Sequence, residues 1–289
     1  MTDLMMAEKI ASYLDANVKD SYRICVLNEV TSTNTQLKQM AFEGAPTGTV
    51  LIARRQTGGR GRLGRDFHSP DGGLYMSVLV RPEIAPEDAL LLTTSTAVAC
   101  AAAIDVVRGV DINSEDASKI KWVNDIYLNE KKVCGILAES LLAADGSRFS
   151  HAVIGIGSNL IAPREGFPSS IAATAGALFS AQDETFDTAG PRLAAEILLG
   201  MHRHLLCPCR DHIEEYRTRS FLTGRLVAVH PRGSLGNEGE RIAVVLGVDD
   251  TLGLTVRYEN GEEDVLRSGE VILRGDGTVQ LGASPVHMR

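Results

Sequence analysis

Gln56-Thr57-Gly58-Gly59-Arg60-Gly61-Arg62-Leu63-Gly64-Arg65, entered through Arg54 and Arg55, is the stretch on which the reading of this chain turns. Five arginines and four glycines fall within these twelve residues. Glycine has no Cβ, so its backbone N–H groups can approach a ligand closely, and guanidinium forks grip phosphate or carboxylate bidentately. The composition predicts a loop that cradles an anion. Gly59 to Gly64 also spells GxGxxG, but a dinucleotide-binding turn must open directly into a helix. Here the loop runs into Asp66-Phe67-His68-Ser69-Pro70-Asp71-Gly72-Gly73, a turn-rich run that no helix starts through, and the Rossmann reading is rejected.

Working outward, Val50 to Ala53 and Leu74 to Val80 read as strands around a connection about twenty residues long, a length that is usually functional. Upstream, Met5 to Leu14 has an amphipathic helix pattern and Tyr22 to Leu27 alternates like a strand. Thr31-Ser32-Thr33-Asn34 precede a helix-like run to Phe42; they either cap that helix or also line a pocket at its N-terminus. Downstream, Pro86 opens an Ala-rich helix to about Val107, apolar on most faces and expected to be buried against a sheet. Lys119 to Leu128, Val133 to Leu141 and Phe149 to Leu160 follow as an antiparallel meander. With a two-residue turn at Glu130-Lys131, Asp125 and Lys132 share a face but stand roughly 13 Å apart, gripping different parts of one long ligand. A short helix is expected before Phe179, and a helix from Pro191 to Leu206 that breaks at Cys207-Pro208-Cys209 and resumes to Arg219. From Leu222 onward, alternation between turns at Gly233 to Gly239, Asp249 to Gly253 and Asn260 to Gly261 predicts a small all-β barrel. The expected domains are therefore 1–221 and 222–289.

With 289 residues, 44% of them hydrophobic, the chain can bury a full core. A formal net charge of −8 argues against a protein that coats nucleic acid, so the arginine cluster is a local device and no DNA is expected. No signal-like N-terminus is evident and no window is read as the roughly 18 apolar residues of a membrane span, which leads to a cytoplasmic protein that does not engage a membrane. Five cysteines, few and odd in number, fit free thiols. His202, His204, Cys207, Cys209 and His212 cluster, but Cys-x-Cys around a proline lacks the usual zinc spacing, and a break between helices is the expected role.

Several motifs occur in order: STN at Ser32 to Asn34, QTGGRGRLGR at Gln56 to Arg65, SPDGGLYMS at Ser69 to Ser77, KWVND at Lys121 to Asp125, KVCGIL at Lys132 to Leu137, GIGSN at Gly155 to Asn159, and SGEVILR at Ser268 to Arg274. Together they resemble the biotin protein ligases, in a short form without an N-terminal DNA-binding domain. The resemblance implies an α+β fold: a central mixed, mainly antiparallel sheet with flanking helices, as in class II synthetases, plus a C-terminal SH3-like β-barrel. It also implies an ATP-dependent biotin-[acetyl-CoA-carboxylase] ligase, which makes biotinyl-AMP and passes biotin to a lysine of a biotin carboxyl carrier domain.

On that resemblance Lys132, Arg60, Arg62 and Asp125 are the catalytic set. Biotin is held by Ser32, Thr33, Asn34, Gln56, Arg60, Gly61, Arg62, Lys132 and Gly135. The adenylate falls to Arg62, Arg65, Phe67, Lys121, Asn124, Gly155, Gly157 and Asn159, and Asp125 ligates Mg²⁺ on the ATP phosphates. Phe67 stands where the family usually has tryptophan, and Val123 replaces proline in KWPND; neither change removes a reacting group. Monomer and homodimer both stay open. A lipoate-type ligase of the same fold and a biotin-responsive transcriptional repressor are the alternatives.

Overall fold

The strands that flank the arginine loop are neighbours in the computed structural model, which describes residues 3–180, 186–205, 212–230, 239–267 and 270–278. The order of elements is α1 (Leu4–Ser12), α2 (Ala16–Lys19), β1 (Arg23–Val30), α3 (Thr33–Phe42), β2 (Thr49–Gln56), β3 (Gly73–Val80), α4 (Leu90–Arg108), β4 (Lys119–Lys121), β5 (Asp125–Leu128), β6 (Lys131–Leu142), β7 (Phe149–Asn159), α5 (Phe186–Leu205) and α6 (His212–Thr218). The chain divides into one unit over Met1–Arg219 and a second over Ser220–Arg289.

In the first unit seven strands form one sheet in the order β1-β2-β3-β7-β6-β5-β4. Only β1 and β2 run parallel, with α3 as their crossover; every other ladder is antiparallel. Residue parity sorts the two faces. Leu79 and Val153 pack with Leu37 and Ala41 of α3, and the cross-strand pairs Ser77↔Gly155 and Gly135↔Gly157 lie on that same face. The opposite residues, among them Met76, Val78, Ile154 and Ile156, are fully or almost fully buried. α4 packs on β6 and α5 on β3, and the two helices also pack on each other.

The stretch Pro86–Arg108 does have the length and apolarity of a membrane span, contrary to the sequence reading. Its apolar surface is spent elsewhere: Leu92, Val98, Cys100 and Ile104 are essentially inaccessible between sheet and α5. A buried charge network closes this side. Arg219 donates to Asp105 Oδ2 at 2.6 Å, to Glu215 Oε1 at 2.9 Å and to the Ser118 carbonyl at 3.1 Å.

Three local expectations are corrected. The strand expected over Lys119 to Leu128 is two strands, broken at Trp122-Val123-Asn124, where the Trp122–Val123 peptide is cis. The residues before Phe179 form turns and no helix: Ala172 N–H donates to the Pro168 carbonyl and Ala175 N–H to that of Ile171, after which Gly176 N–H donates to the Lys132 carbonyl and the N–H groups of Leu178 and Phe179 to those of Asn159 and Leu160, so strands take up the backbone where a helix would continue. The β5–β6 turn lies at Asn129-Glu130, both at positive φ, one residue earlier than expected, and a register shift follows Ile126.

The second unit contains β8 (Arg225–His230), β9 (Arg241–Val248), β10 (Leu254–Tyr258), β11 (Glu263–Leu266) and β12 (Glu270–Thr278), an antiparallel sheet in the order β11-β10-β9-β8-β12. The expected barrel is thus present as five strands, but among the described residues no ladder joins β11 to β12, so the sheet is open and not closed. The β9–β10 turn is fixed by Asp249 Oδ1, which accepts from the backbone N–H groups of Thr251 and Gly253, both at 2.8 Å. The turn expected over Gly233 to Gly239 lies almost wholly outside the described residues, as do Ser268 and Gly269 of the terminal motif.

Candidate active site

The arginine loop folds back on itself as a small hairpin. Phe67 N–H donates to the Gly59 carbonyl and Gly61 N–H to the Arg65 carbonyl, so Arg60 bridges to Asp66 and the tip falls at Arg62-Leu63-Gly64. Gly59 could be no other residue in this arrangement: a Cβ there would stand 2.4 Å from both the Phe67 carbonyl and Ser69 Oγ.

The hairpin carries Phe67 onto a floor made of glycine. A Cβ on Gly157 would come within 2.5 Å of Phe67 Cε1, and one on Gly135 within 3.2 Å of Phe67 Cε2 and 3.1 Å of Lys132 Nζ. A Cβ on Gly155 would stand 2.1 Å from Asn34 Oδ1. Three glycines on adjacent strands therefore let an aromatic ring, an ammonium and an amide lie directly on the sheet.

At one end of this floor sit the groups expected to read a neutral ring. Ser32 caps α3, its Oγ accepting from Thr35 N–H. Thr33 N–H donates to Gln56 Oε1 at 2.8 Å, and Gln56 Nε2 donates to Ser69 Oγ at 3.0 Å. Asn34 Nδ2 donates to Glu139 Oε2 at 2.8 Å and to the Leu137 carbonyl at 3.2 Å. Ser77 Oγ, wholly buried, lies 2.6 Å from Asn34 Oδ1 and 2.7 Å from Thr33 Oγ1. Burial would raise the Glu139 carboxyl, but hydrogen bonds from Lys38 and Asn34 and the charges of Lys38 and Arg60 hold it below its ordinary value. Glu139 and the role of Ser77 were missed in the sequence. The signal was there: each is a polar residue at an inward position of an otherwise apolar alternation.

At the other end the charged groups gather. Lys132 Nζ lies 2.7 Å from Asp125 Oδ1, without the alignment of a hydrogen bond, so the contact is an ion pair. This corrects the separation of roughly 13 Å expected from an ideal hairpin: Asp125 pairs with Gly135 and Tyr127 with Lys132, so the lysine has only two residues of strand to span. Lys132 Nζ also stands 5.8 Å over the Phe67 ring. Arg62 donates to Asn124 Oδ1 at 2.8 Å, and Asn124 Nδ2 donates to the Ile136 carbonyl at 2.8 Å.

Other expected residues stand further out. Asn159 Nδ2 donates to the Gly176 carbonyl at 2.9 Å, so the amide assigned to an adenine edge is engaged inside the protein. Lys121 Nζ lies 5.9 Å from the Tyr127 ring centroid. Arg65 is exposed beside the tip of the hairpin.

Among the described residues no three His, Cys, Asp or Glu side chains assemble as a metal site. Cys207 and Cys209 lie outside the described residues; His204 and His212 bring their rings to 6.0 Å across the gap between α5 and α6. Mg²⁺ asks for less than such a cluster, since it keeps waters and phosphate oxygens and takes one or two carboxylates. The enclosed Asp125 Oδ1 fits that demand.

The mixed sheet thus carries a glycine floor covered by an arginine-rich hairpin, with neutral polar groups at one end and charged groups at the other. The model of the biotin/lipoate A/B protein ligase family matches residues 26–159. A biotin–[acetyl-CoA-carboxylase] ligase of Paracoccus denitrificans is 33% identical over 252 residues, covering 86% of this chain and 100% of that protein. The bifunctional ligase/repressor BirA of Bacillus subtilis is 33% identical over 240 residues, 80% of this chain and 68% of the relative. The biotin protein ligase of Aquifex aeolicus in complex with biotin and ATP superposes with a TM-score of 0.66 at 28% identity, over 87% of this chain and 98% of that one. The chain belongs to the biotin/lipoate A/B protein ligase family.

Proposed function

We propose that this chain is an ATP-dependent biotin protein ligase, and that its first unit carries the chemistry. The observation that carries the reading is the convergence of Lys132, Asp125 and Arg62 at one end of the Gly135–Gly157 floor, with Thr33, Asn34 and Gln56 at the other. A molecule lying along that floor meets neutral hydrogen-bonding groups at its head and cations at its tail. Biotin has that polarity, a neutral ureido ring and a carboxylate.

In the first step an oxygen of the biotin carboxylate bonds to the α-phosphorus of ATP, and the bond to the pyrophosphate oxygen breaks. Two anions must be held together while this happens, so the protein's task is positioning and charge compensation. Lys132 supplies a compact ammonium that can leave Asp125 for the developing negative charge. Arg62, oriented by Asn124, is placed to fork onto carboxylate or phosphate. Arg60 and Gly61 bring the hairpin backbone to the biotin side, and Arg65 and Lys121 are assigned to the outer phosphates. Phe67 covers the adenylate in the place of an indole, with Gly155 and Gly157 leaving room beneath it. Asn159 would have to exchange its Gly176 contact to reach an adenine. Mg²⁺ on Asp125 would neutralise ATP phosphate charge.

In the second step a lysine amine of the biotin carboxyl carrier domain attacks the acyl carbon of the mixed anhydride, its proton departs, and AMP leaves with the electron pair. No protein nucleophile is needed. We assign the protein to the cytoplasm, where free thiols such as Cys25, Cys100 and Cys134 persist.

The test is pyrophosphate release with biotin and with lipoate, side by side. Release that depends on biotin and yields biotinyl-AMP is expected; release with lipoate alone would move the protein to the other branch of its family.

A further inference from the structure

Glu139 stands outside every role given above, yet its two carboxylate oxygens are used separately. Oε1 lies 2.7 Å from Lys38 Nζ, and Oε2 accepts from Asn34 Nδ2 at 2.8 Å. A carboxylate can only accept hydrogen bonds when ionised. Asn34 must therefore turn its NH₂ toward Glu139, where the same NH₂ also donates to the Leu137 carbonyl at the longer distance of 3.2 Å, and this leaves the Asn34 carbonyl oxygen facing Ser77 at 2.6 Å. Ser77 has one proton, and that carbonyl requires it. The 2.7 Å contact between Ser77 Oγ and Thr33 Oγ1 is then filled by the Thr33 proton.

One consequence reaches the pocket. Thr33 Oγ1 lies 3.1 Å from Gln56 Oε1, and with the threonine proton committed to Ser77 these two oxygens face each other with no hydrogen between them. Such a pair is a receptor for an N–H group. We infer that the Glu139 carboxylate sets the direction of the Asn34–Ser77–Thr33 relay and thereby presents Thr33 Oγ1 and Gln56 Oε1 as acceptors for a ureido N–H of biotin. Glu139 is a positioning residue for recognition, with no contact to the reacting atoms. The inference rests on the ligase reading.

Replacing the carboxylate with an amide reverses the relay. In Glu139→Gln an Oε1 kept on Lys38 turns the NH₂ of Gln toward the NH₂ of Asn34. The Asn34 amide then flips, giving up its longer 3.2 Å bond to the Leu137 carbonyl, accepts from the new NH₂, donates to Ser77, and drives the Ser77 proton onto Thr33. Thr33 can now donate to Gln56, and the acceptor pair is satisfied without a ligand.

The experiment measures adenylation by Glu139→Gln, Thr33→Val and the double variant, each with biotin and with ATP varied. Glu139→Gln is expected to raise the biotin KM about tenfold, a typical size for one correctly paired hydrogen bond, with kcat and the ATP KM within about twofold of wild type. On the Thr33→Val background the same change should move the biotin KM less than about twofold, because the oxygen through which it acts is gone. An unchanged biotin KM in Glu139→Gln overturns the inference. So do additive effects in the double variant, or an equal rise in the ATP KM, which would mark general distortion. Wild-type protein that makes no biotinyl-AMP would sink the ligase reading instead, before Glu139 is in question.

Discussion

Lys132 reaches forward along its strand toward Gly135 to set its ammonium 2.7 Å from Asp125 Oδ1, on a floor where that glycine leaves room for its side chain. The pair holds the lysine on this floor and keeps its charge compensated. Lys132→Met retains the length of the stem and removes the ammonium. Biotinyl-AMP formation is expected to fall about 10²- to 10³-fold, the range seen when one preorganised group at developing charge is removed, with an unchanged circular dichroism spectrum. Near-normal adenylation would end the role assigned to Lys132.

Gly157 and Phe67 test the floor from beneath. Gly157→Ala puts a Cβ where the Phe67 ring now stands, 2.5 Å from Cε1. The ring must move, so affinity for biotinyl-AMP should drop by about tenfold or more. Calorimetric titration with a non-hydrolysable biotinyl-AMP analogue measures this directly.

Arg219 and Asp105 have side chains only 3% and 4% exposed, and each is the other's nearest opposite charge, with Glu215 and Arg108 as further partners. Arg219→Ala should destabilise the first unit by about 3–5 kcal/mol, because it strands a buried carboxylate. Replacing both residues with apolar ones should recover much of that loss. Urea unfolding of the two variants separates these outcomes; equal destabilisation would show that the pair is more than mutually compensating.

The Lys38–Glu139–Asn34 contact should be visible in acid. Glu139 is held below its ordinary value in the folded state chiefly by hydrogen bonds from Lys38 and Asn34, against the opposing effect of burial. Its contribution is therefore complete above the unfolded carboxylate pKa, about 4.3, and is lost as pH falls through the lower folded value. About a third of both side chains is exposed (37% and 31%), so screening keeps the effect small. The stability difference between wild type and Glu139→Gln should be flat from about pH 7 to 5 and shrink below about pH 4. A difference that grew toward low pH would contradict the ion pair.

Much of the architecture was legible because it follows from local rules. Alternation located β3, β6 and β7 to within a residue or two, and glycine with arginine marked the stretch that folds into the hairpin. Registers were less legible. The turn at Asn129-Glu130 in place of Glu130-Lys131, and the slip after Ile126, together convert two separated side chains into an ion pair, and a one-residue difference in turn position is below what local patterns resolve. The segment before Phe179 failed for a related reason: its carbonyl and N–H groups are claimed by Asn159, Leu160 and Lys132, partners that no local pattern announces.

The amino-acid order alone determined the chemical vocabulary of this protein: an arginine-glycine hairpin, a lysine beside a turn, small polar residues heading a helix, and glycines on the central strands. Those follow from what each side chain is. Tertiary structure decided which of them meet. Asp125 became the partner of Lys132, and Glu139 became the start of a relay ending at Thr33, because strands distant in sequence were brought into one sheet. Hydrogen-bond direction and ion pairing depend on separations of a few tenths of an ångström, and only the folded chain sets those.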